Sequence, residues 1–129
     1  MIRILQEAVT RLSGKKCEFG FYNDFSMLHD SMFLLEPSGR RSTTIGVSGR
    51  KEYTSTMNLY YFYFNHISTN SLEVIEEINS LLERVMADEE VKKKIIAINY
   101  EYSASNVKES EDDLTGILEI TIRLEIKER

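Results

Sequence analysis

The sequence predicts an α+β fold, with a mainly antiparallel sheet of about five to six strands and two helices packed on one face. Residues 2–12 and 71–86 repeat apolar residues every three or four positions, which is typical of amphipathic helices. Several other segments alternate apolar and polar residues, the period of a half-buried strand. Most of these strands follow one another through short connections, and such neighbours favour antiparallel pairing.

The length and composition indicate one globular domain over residues 1–129. A chain of 129 residues can bury one continuous core but not two. Apolar residues make up 42% and charged residues 29%, close to ordinary globular usage. We therefore expect a folded chain without an interdomain linker or an internal repeat.

The charge and the single cysteine argue against several classes of protein. A formal charge of −5 and a pI near 5.1 disfavour nonspecific binding to DNA, RNA or an anionic membrane. Cys17 is the only cysteine, so no intrachain disulfide can form. Residues 1–7 lack the apolar run of a signal peptide, and no apolar run is long enough to span a bilayer. We expect a protein of the reducing cytoplasm, with no membrane partner and no specific nucleic-acid partner.

The second predicted helix, over residues 71–86, has a start signal. Asn70 is a favourable N-cap, and Glu73 stands three positions later, as in a capping box. Residues 87–94 are highly charged and predict an exit from this helix, with a short extra turn as one option.

Alternation of apolar and polar residues locates the strands. Strands are predicted over residues 17–22, 32–35, 54–66, 95–103 and 118–126. Residues 36–39 include Pro37 and Gly39 and predict a firm stop after the second strand. Residues 40–53 predict an irregular strand or a hairpin, and the acidic residues 107–113 predict a solvated connection. Residues 25–30 carry no clear pattern.

The strand over residues 57–64 is apolar on both faces. One face carries Tyr60, Phe62 and Phe64, and the other carries Met57, Leu59, Tyr61 and Tyr63. A sheet with helices on one face normally exposes the other, so this pattern needs an explanation. Either the second face is covered by the chain's own loops, such as residues 40–53, or it is a subunit interface, where Tyr and Phe are enriched.

Two basic turns stand out on an acidic chain. Ser38-Gly39-Arg40-Arg41 and Ser48-Gly49-Arg50-Lys51 lack the context of a phosphate-binding loop. They are either solvated loops or contacts to an acidic partner subunit. The candidate subunit-interface residues are therefore Tyr60, Tyr61, Phe62, Tyr63, Phe64, Arg40, Arg41, Arg50 and Lys51.

The polar residues do not form a recognisable catalytic motif. Cys17 alternates with phenylalanines, as a small core residue does, and would act as a nucleophile only beside a base. His29 and His66 match no standard metal-ligand spacing. The acidic run at 109–113 lacks the spacing of a calcium loop. We predict no catalytic site, no cofactor and no metal, and hence a protein that is not an enzyme.

In its layout, the chain resembles the tail-terminator and head-to-tail joining proteins of long-tailed bacteriophages, often labelled minor capsid or tail completion proteins. The resemblance rests on the size, the helix over residues 2–12, the aromatic strand 58–64 that leads through residues 65–70 into the helix 71–86, and the closing strands. It covers nearly the whole chain.

The resemblance implies a structural role in a virion. Proteins of this family form a ring, usually of six copies, that sits on the end of the tail tube, stops tube polymerisation and docks to the neck. The implied partners are other copies of the chain, the tail-tube protein and the neck or head-completion protein. The implied location is a virion or a phage-tail-like particle such as a contractile injection system, assembled in the cytoplasm of a bacterial host.

A second hypothesis comes from a different class of function. A small intracellular α+β binding module would use the aromatic face as a pocket for a peptide or an apolar ligand.

Overall fold

The structure is a computed structural model that describes residues 1–21, 31–45, 49–66, 71–107 and 116–129. Within these residues the chain forms three helices and five strands. In chain order they are α1 (Ile2–Ser13), β1 (Cys17–Phe19), β2 (Met32–Ile45), β3 (Arg50–His66), α2 (Ser71–Ala87), α3 (Glu89–Lys94), β4 (Ile95–Val107) and β5 (Gly116–Glu128).

The five strands form one sheet in the order β1-β2-β3-β5-β4. All neighbours pair antiparallel except β1 and β2, which run parallel. This arrangement confirms the predicted α+β class with a mostly antiparallel sheet. The long strand β3 lies at the centre, between β2 and β5.

The main core lies between one face of the sheet and the three helices. Strand β5 shows why, because alternate residues from Leu118 to Ile126 are buried while Arg123 and Glu125 are exposed. The buried stripes of α1, α2 and α3 belong to the same apolar cluster. We call this side of the sheet the helix face and the other side the open face.

Helix α1 is held at its C-terminal end. Gly14 has a φ of 69°, and its N–H donates to the Thr10 carbonyl, which ends the helix in a left-handed cap. The Arg11 guanidinium donates to both carboxylate oxygens of Asp88, at 2.9 and 3.0 Å. The Asp88 carboxylate also accepts from the Val91 N–H at the start of α3, and Asp88 directly follows α2, so this residue links α1 to the junction of α2 and α3.

The predicted stop at residues 36–39 is wrong. Strand β2 continues through Pro37 to Ile45, with a register shift against β3 between Pro37 and Gly39. In the described residues β1 pairs only with Phe33 to Leu35, so Pro37 lies on a free edge of the sheet. Proline is tolerated there because no neighbouring strand needs its missing N–H.

The predicted first strand is shorter than expected, and its direction differs. It covers Cys17–Phe19 instead of residues 17–22, and Phe19 and Phe21 are exposed. It pairs parallel to β2, whereas a short connection would have given an antiparallel pair. The parallel pair is possible because residues 20–31 separate the two strands.

The other predicted elements are confirmed. The hairpin option for residues 40–53 is correct, and the strands predicted at 54–66, 95–103 and 118–126 are all present with longer ends. Helix α2 matches its predicted bounds closely, and α3 is the short extra turn. The Asn70 cap, residues 25–30 and residues 108–113 of the acidic connection lie outside the described residues.

Truncation of Ile120 to alanine tests the helix-face core. Ile120 is 0% exposed at the centre of β5, so Ile120→Ala should lower the free energy of unfolding by about 2–5 kcal/mol in urea denaturation. Glu125→Ala, an exposed change on the same strand, should stay within about 0.5 kcal/mol of the wild type. Equal losses in both variants would contradict this assignment of the core.

Candidate functional site

The aromatic residues of β3 divide between the two faces of the sheet. Tyr61 is 1% exposed on the helix face, with its ring centroid 4.5 Å from Phe33 and 6.3 Å from Tyr63. Burial, with a smaller contribution from the charge of Glu77, raises the pKa of Tyr61 to about 12. Tyr61 and Tyr63 therefore belong to the main core.

A second, smaller apolar cluster lies on the open face. Met32, Leu34 and Phe62 are buried together, with Tyr60 and Ile117 packed against them. The rings of Tyr60 and Phe62 stack with centroids 6.1 Å apart. Strand β3 is thus apolar on both faces because its side chains join a different apolar cluster on each face of the sheet.

Tyr60 forms the polar boundary of this second cluster. Its hydroxyl donates to Glu36 Oε1 at 3.3 Å and accepts from Asn58 Nδ2 at 3.5 Å. Partial burial and the nearby charge of Glu36 raise the pKa of Tyr60. Beyond this point the open face becomes polar, with Arg123 opposite Asn58.

The structure leaves the aromatic candidates unequal access to a partner. Tyr61 and Phe62 are buried, at 1% and 6% exposed, whereas Tyr60 and Tyr63 are partly exposed. The side chain of Phe64 lies outside the description. Residues 40–45 and 50–53 do not cover the second face, because they pair with each other within the sheet.

The basic candidates lie together on a projecting hairpin. We call residues 39–45 of β2 and 50–56 of β3 the hairpin arm; they pair from Gly39 opposite Thr56 to Ile45 opposite Arg50. Residues 38–44 are exposed throughout. The structure therefore brings Arg40, Arg41, Arg50 and Lys51, which come from two separate turns of the sequence, onto one element.

Arg40 fixes the arm to the end of β5. Its guanidinium carbon lies 4.0 Å from the ring centroid of Tyr53, and Nε donates to Glu128 Oε2 at 2.9 Å. Ser55 donates to the same carboxylate oxygen at 2.8 Å. Burial alone would raise the pKa of Glu128, but the hydrogen bonds from Arg40 and Ser55 lower it below its usual value.

The other three cations of the arm face solvent. Arg41, Arg50 and Lys51 are exposed and form no ion pair with any part of the chain that the structure describes. No carboxylate of those residues offsets their charge, so an acidic surface would attract them. They are positive groups available to a partner.

The outer side of α2 is acidic. Its exposed glutamates are Glu73, Glu76, Glu77 and Glu83. Three of them line the rim of a cleft of about 700 Å³, with Phe33 and Tyr61 among its lining residues. The chain thus carries positive charge on the arm and negative charge on a separate helix.

The other sequence candidates give no catalytic arrangement among the described residues. Cys17 is buried, and burial raises the pKa of its thiol to about 12, the reverse of an activated nucleophile. His29 and the side chain of His66 lie outside the description. Within the described ranges no cluster of His, Cys, Asp and Glu could hold a metal, and no helix is long and apolar enough to cross a membrane.

Sequence reasoning missed Glu128 and Ser55, which hold the arm. The two residues are more than 70 positions apart in the chain, and only the register of β3 with β5 brings them together. The alternation of β5 gave its faces but not its register.

A scan against protein-family models finds no match, and a search of curated proteins finds no relative.

Substitution of Glu128 by glutamine tests the anchor of the arm. Because the pKa of Glu128 is lowered in the folded state, its charge stabilises the fold above the unfolded pKa, near 4.3, and this contribution disappears as pH falls through the folded pKa. Glu128→Gln should therefore be less stable than the wild type at neutral pH, by about 1 kcal/mol or less, since Arg40 is half exposed.

The difference between Glu128→Gln and the wild type should shrink as pH falls and vanish once Glu128 is protonated in the folded state, measured by urea denaturation across pH. Glu125→Gln, an exposed change on the same strand, is the matched control and should follow the wild-type pH dependence. If the stability difference between Glu128→Gln and the wild type stays constant with pH, the charge of Glu128 does not anchor the arm.

Proposed function

We propose that this protein is a structural subunit of a bacteriophage or phage-tail-like particle, which closes the end of the tail tube as a ring and joins the tail to the neck. The observation that carries the proposal is the hairpin arm. It extends from the sheet, exposes residues 38–44 and places on an acidic protein three cations that form no ion pair with the described residues. The resemblance in layout supplies the kind of particle.

The arm contributes little to the core of its own chain. Among its described side chains, only Ser55 is buried, and it is polar, while the apolar core residues of β2 end at Leu35. A long, paired hairpin without its own apolar packing is costly to order unless it contacts something else. Contact with another subunit is a use that fits this geometry.

The charge distribution favours contact between unlike surfaces. The arm carries Arg41, Arg50 and Lys51, whereas α2 exposes four glutamates and the chain has a net charge of −5. Complementary surfaces at different places on one subunit give head-to-tail association, and such contacts close into a ring when the rotation permits.

Size-exclusion chromatography with light scattering tests the proposal. The protein should form a closed oligomer, usually of six copies by the family resemblance, alone or together with a tail-tube protein encoded by a neighbouring gene. Assembly should weaken between about 0.1 M and 1 M salt, because exposed charges are screened over that range. Circular dichroism at both salt concentrations checks that the fold is unchanged.

Two outcomes would contradict the proposal. One is a strict monomer at every concentration, both alone and with the tube protein. The other is a small molecule or peptide that stays bound in native mass spectrometry, which would favour the alternative binding module.

A further inference from the structure

Two edges of the sheet have no neighbouring strand among the residues that the structure describes. In the described part of the chain β4 pairs only with β5, and β2 beyond Leu35 pairs only with β3. Free edges are normally protected from pairing by charges, prolines or bulges. Residues 97–105 of β4 contain no proline and a single charged residue, Glu101, and residues 101–105 are all exposed.

We propose that these two edges bind each other in neighbouring copies of the chain: β2 of one copy, over residues 39–45, adds as an antiparallel strand to β4 of the next. The inference rests on the proposed ring and specifies how its subunits join. The occupant of each edge is a second copy because the same chain offers two unlike edges that match in direction, length and charge.

The directions of the strands permit this pairing. Strands β2, β3, β5 and β4 alternate in direction across the sheet, so β4 and β2 run opposite ways. A copy placed beside β4 with its helices on the same side therefore presents β2 antiparallel to it. The two sheets then continue as one, with the helix faces aligned.

One alignment of β2 against β4 pairs the regular parts of both edges. When Arg41 stands opposite Glu101, residues 39–45 face residues 97–103. These are the regular parts of the two edges, because the irregularity of β2 lies before Gly39 and that of β4 lies before Ala97. The same register keeps β1 of the incoming copy, which covers only residues 33–35, beyond the paired region.

The side chains at the centre of this register complement each other. Arg41 lies on the open face, since it pairs with Thr54 opposite Lys127, and Glu101 lies on the same face opposite Arg123. Within its own chain, as far as the structure describes it, Glu101 forms no ion pair with Arg123. Opposite charges directly across an antiparallel pair stabilise it.

A hydrophobic residue also gains a neighbour in this register. Tyr102 is 45% exposed on β4. It faces the helix side, as its partner Ile122 does, and stands opposite Arg40 of the next copy. The Arg40 guanidinium is held in place by Glu128, so it offers a fixed planar surface against which the aromatic side chain of Tyr102 can pack.

Charge reversal in two separate variants tests the pairing. Arg41→Glu and Glu101→Arg should each raise the dissociation constant of assembly about tenfold or more, because each puts like charges opposite one another. An equimolar mixture of the two variants should assemble like the wild type. In an alternating ring every contact between residues 41 and 101 then has opposite charges.

A matched control identifies the acidic surface that receives the arm. Glu76→Arg makes the same charge change on α2 but keeps Arg41 and Glu101, so it should assemble alone like the wild type and should not bring Arg41→Glu into the oligomer when the two are mixed. Restoration by Glu76→Arg would overturn the inference and place the contact on α2. Hydrogen exchange gives an independent readout, since the amides of residues 98–104 that face the free edge should become protected on assembly.

The failures of the two proposals are distinguishable. Wild-type rings that tolerate both charge reversals, with no new protection in β4, would overturn edge pairing and leave the proposed function in place. A wild type that never associates would overturn both.

Discussion

Strand β3 is the constraint on which the structure depends, because it is paired on both edges and carries apolar side chains on both faces. On the helix face Tyr61 and Leu59 lie beneath the helices, and on the open face Phe62 completes a separate cluster with Leu34. A register slip by one residue would exchange the two faces. Both clusters would then lose their central residues, so the register of β2 and β5 follows from that of β3.

The periodicity of the sequence predicted most of the architecture because a single apolar face dominates most elements, β3 excepted. The alternating residues of β5 and the apolar stripe of α2 each predict one buried face, and the structure buries those faces. Local signals failed where tertiary context decides. Pro37 would end the strand only if both edges had to donate hydrogen bonds, and on one edge no described strand pairs with it. The parallel pairing of β1 has no local signal at all.

The candidate site was predicted in part for a similar reason. The basic residues of the two turns were visible in the sequence, and the hairpin joins them. Alternation also separated Tyr61 from Tyr60, but it could not show that Phe62 is covered, since burial on the open face comes from Met32 and Leu34 on a neighbouring strand. Composition shows which residues are apolar, and only the packing shows which of them remain accessible.

Pro37 has a consequence for the geometry of any assembly built on this sheet. The N–H of Phe33 points away from β3, towards the Lys16 carbonyl, and the alternation of the strand turns the nitrogen of Pro37 to that same outer side. An added strand finds no donor at this position, and the backbone irregularity follows at once. In the proposed edge pairing, the proline would therefore confine the neighbouring copy to residues 39–45 of β2, and this limit would set the stagger between adjoining sheets and the tilt of a closed ring.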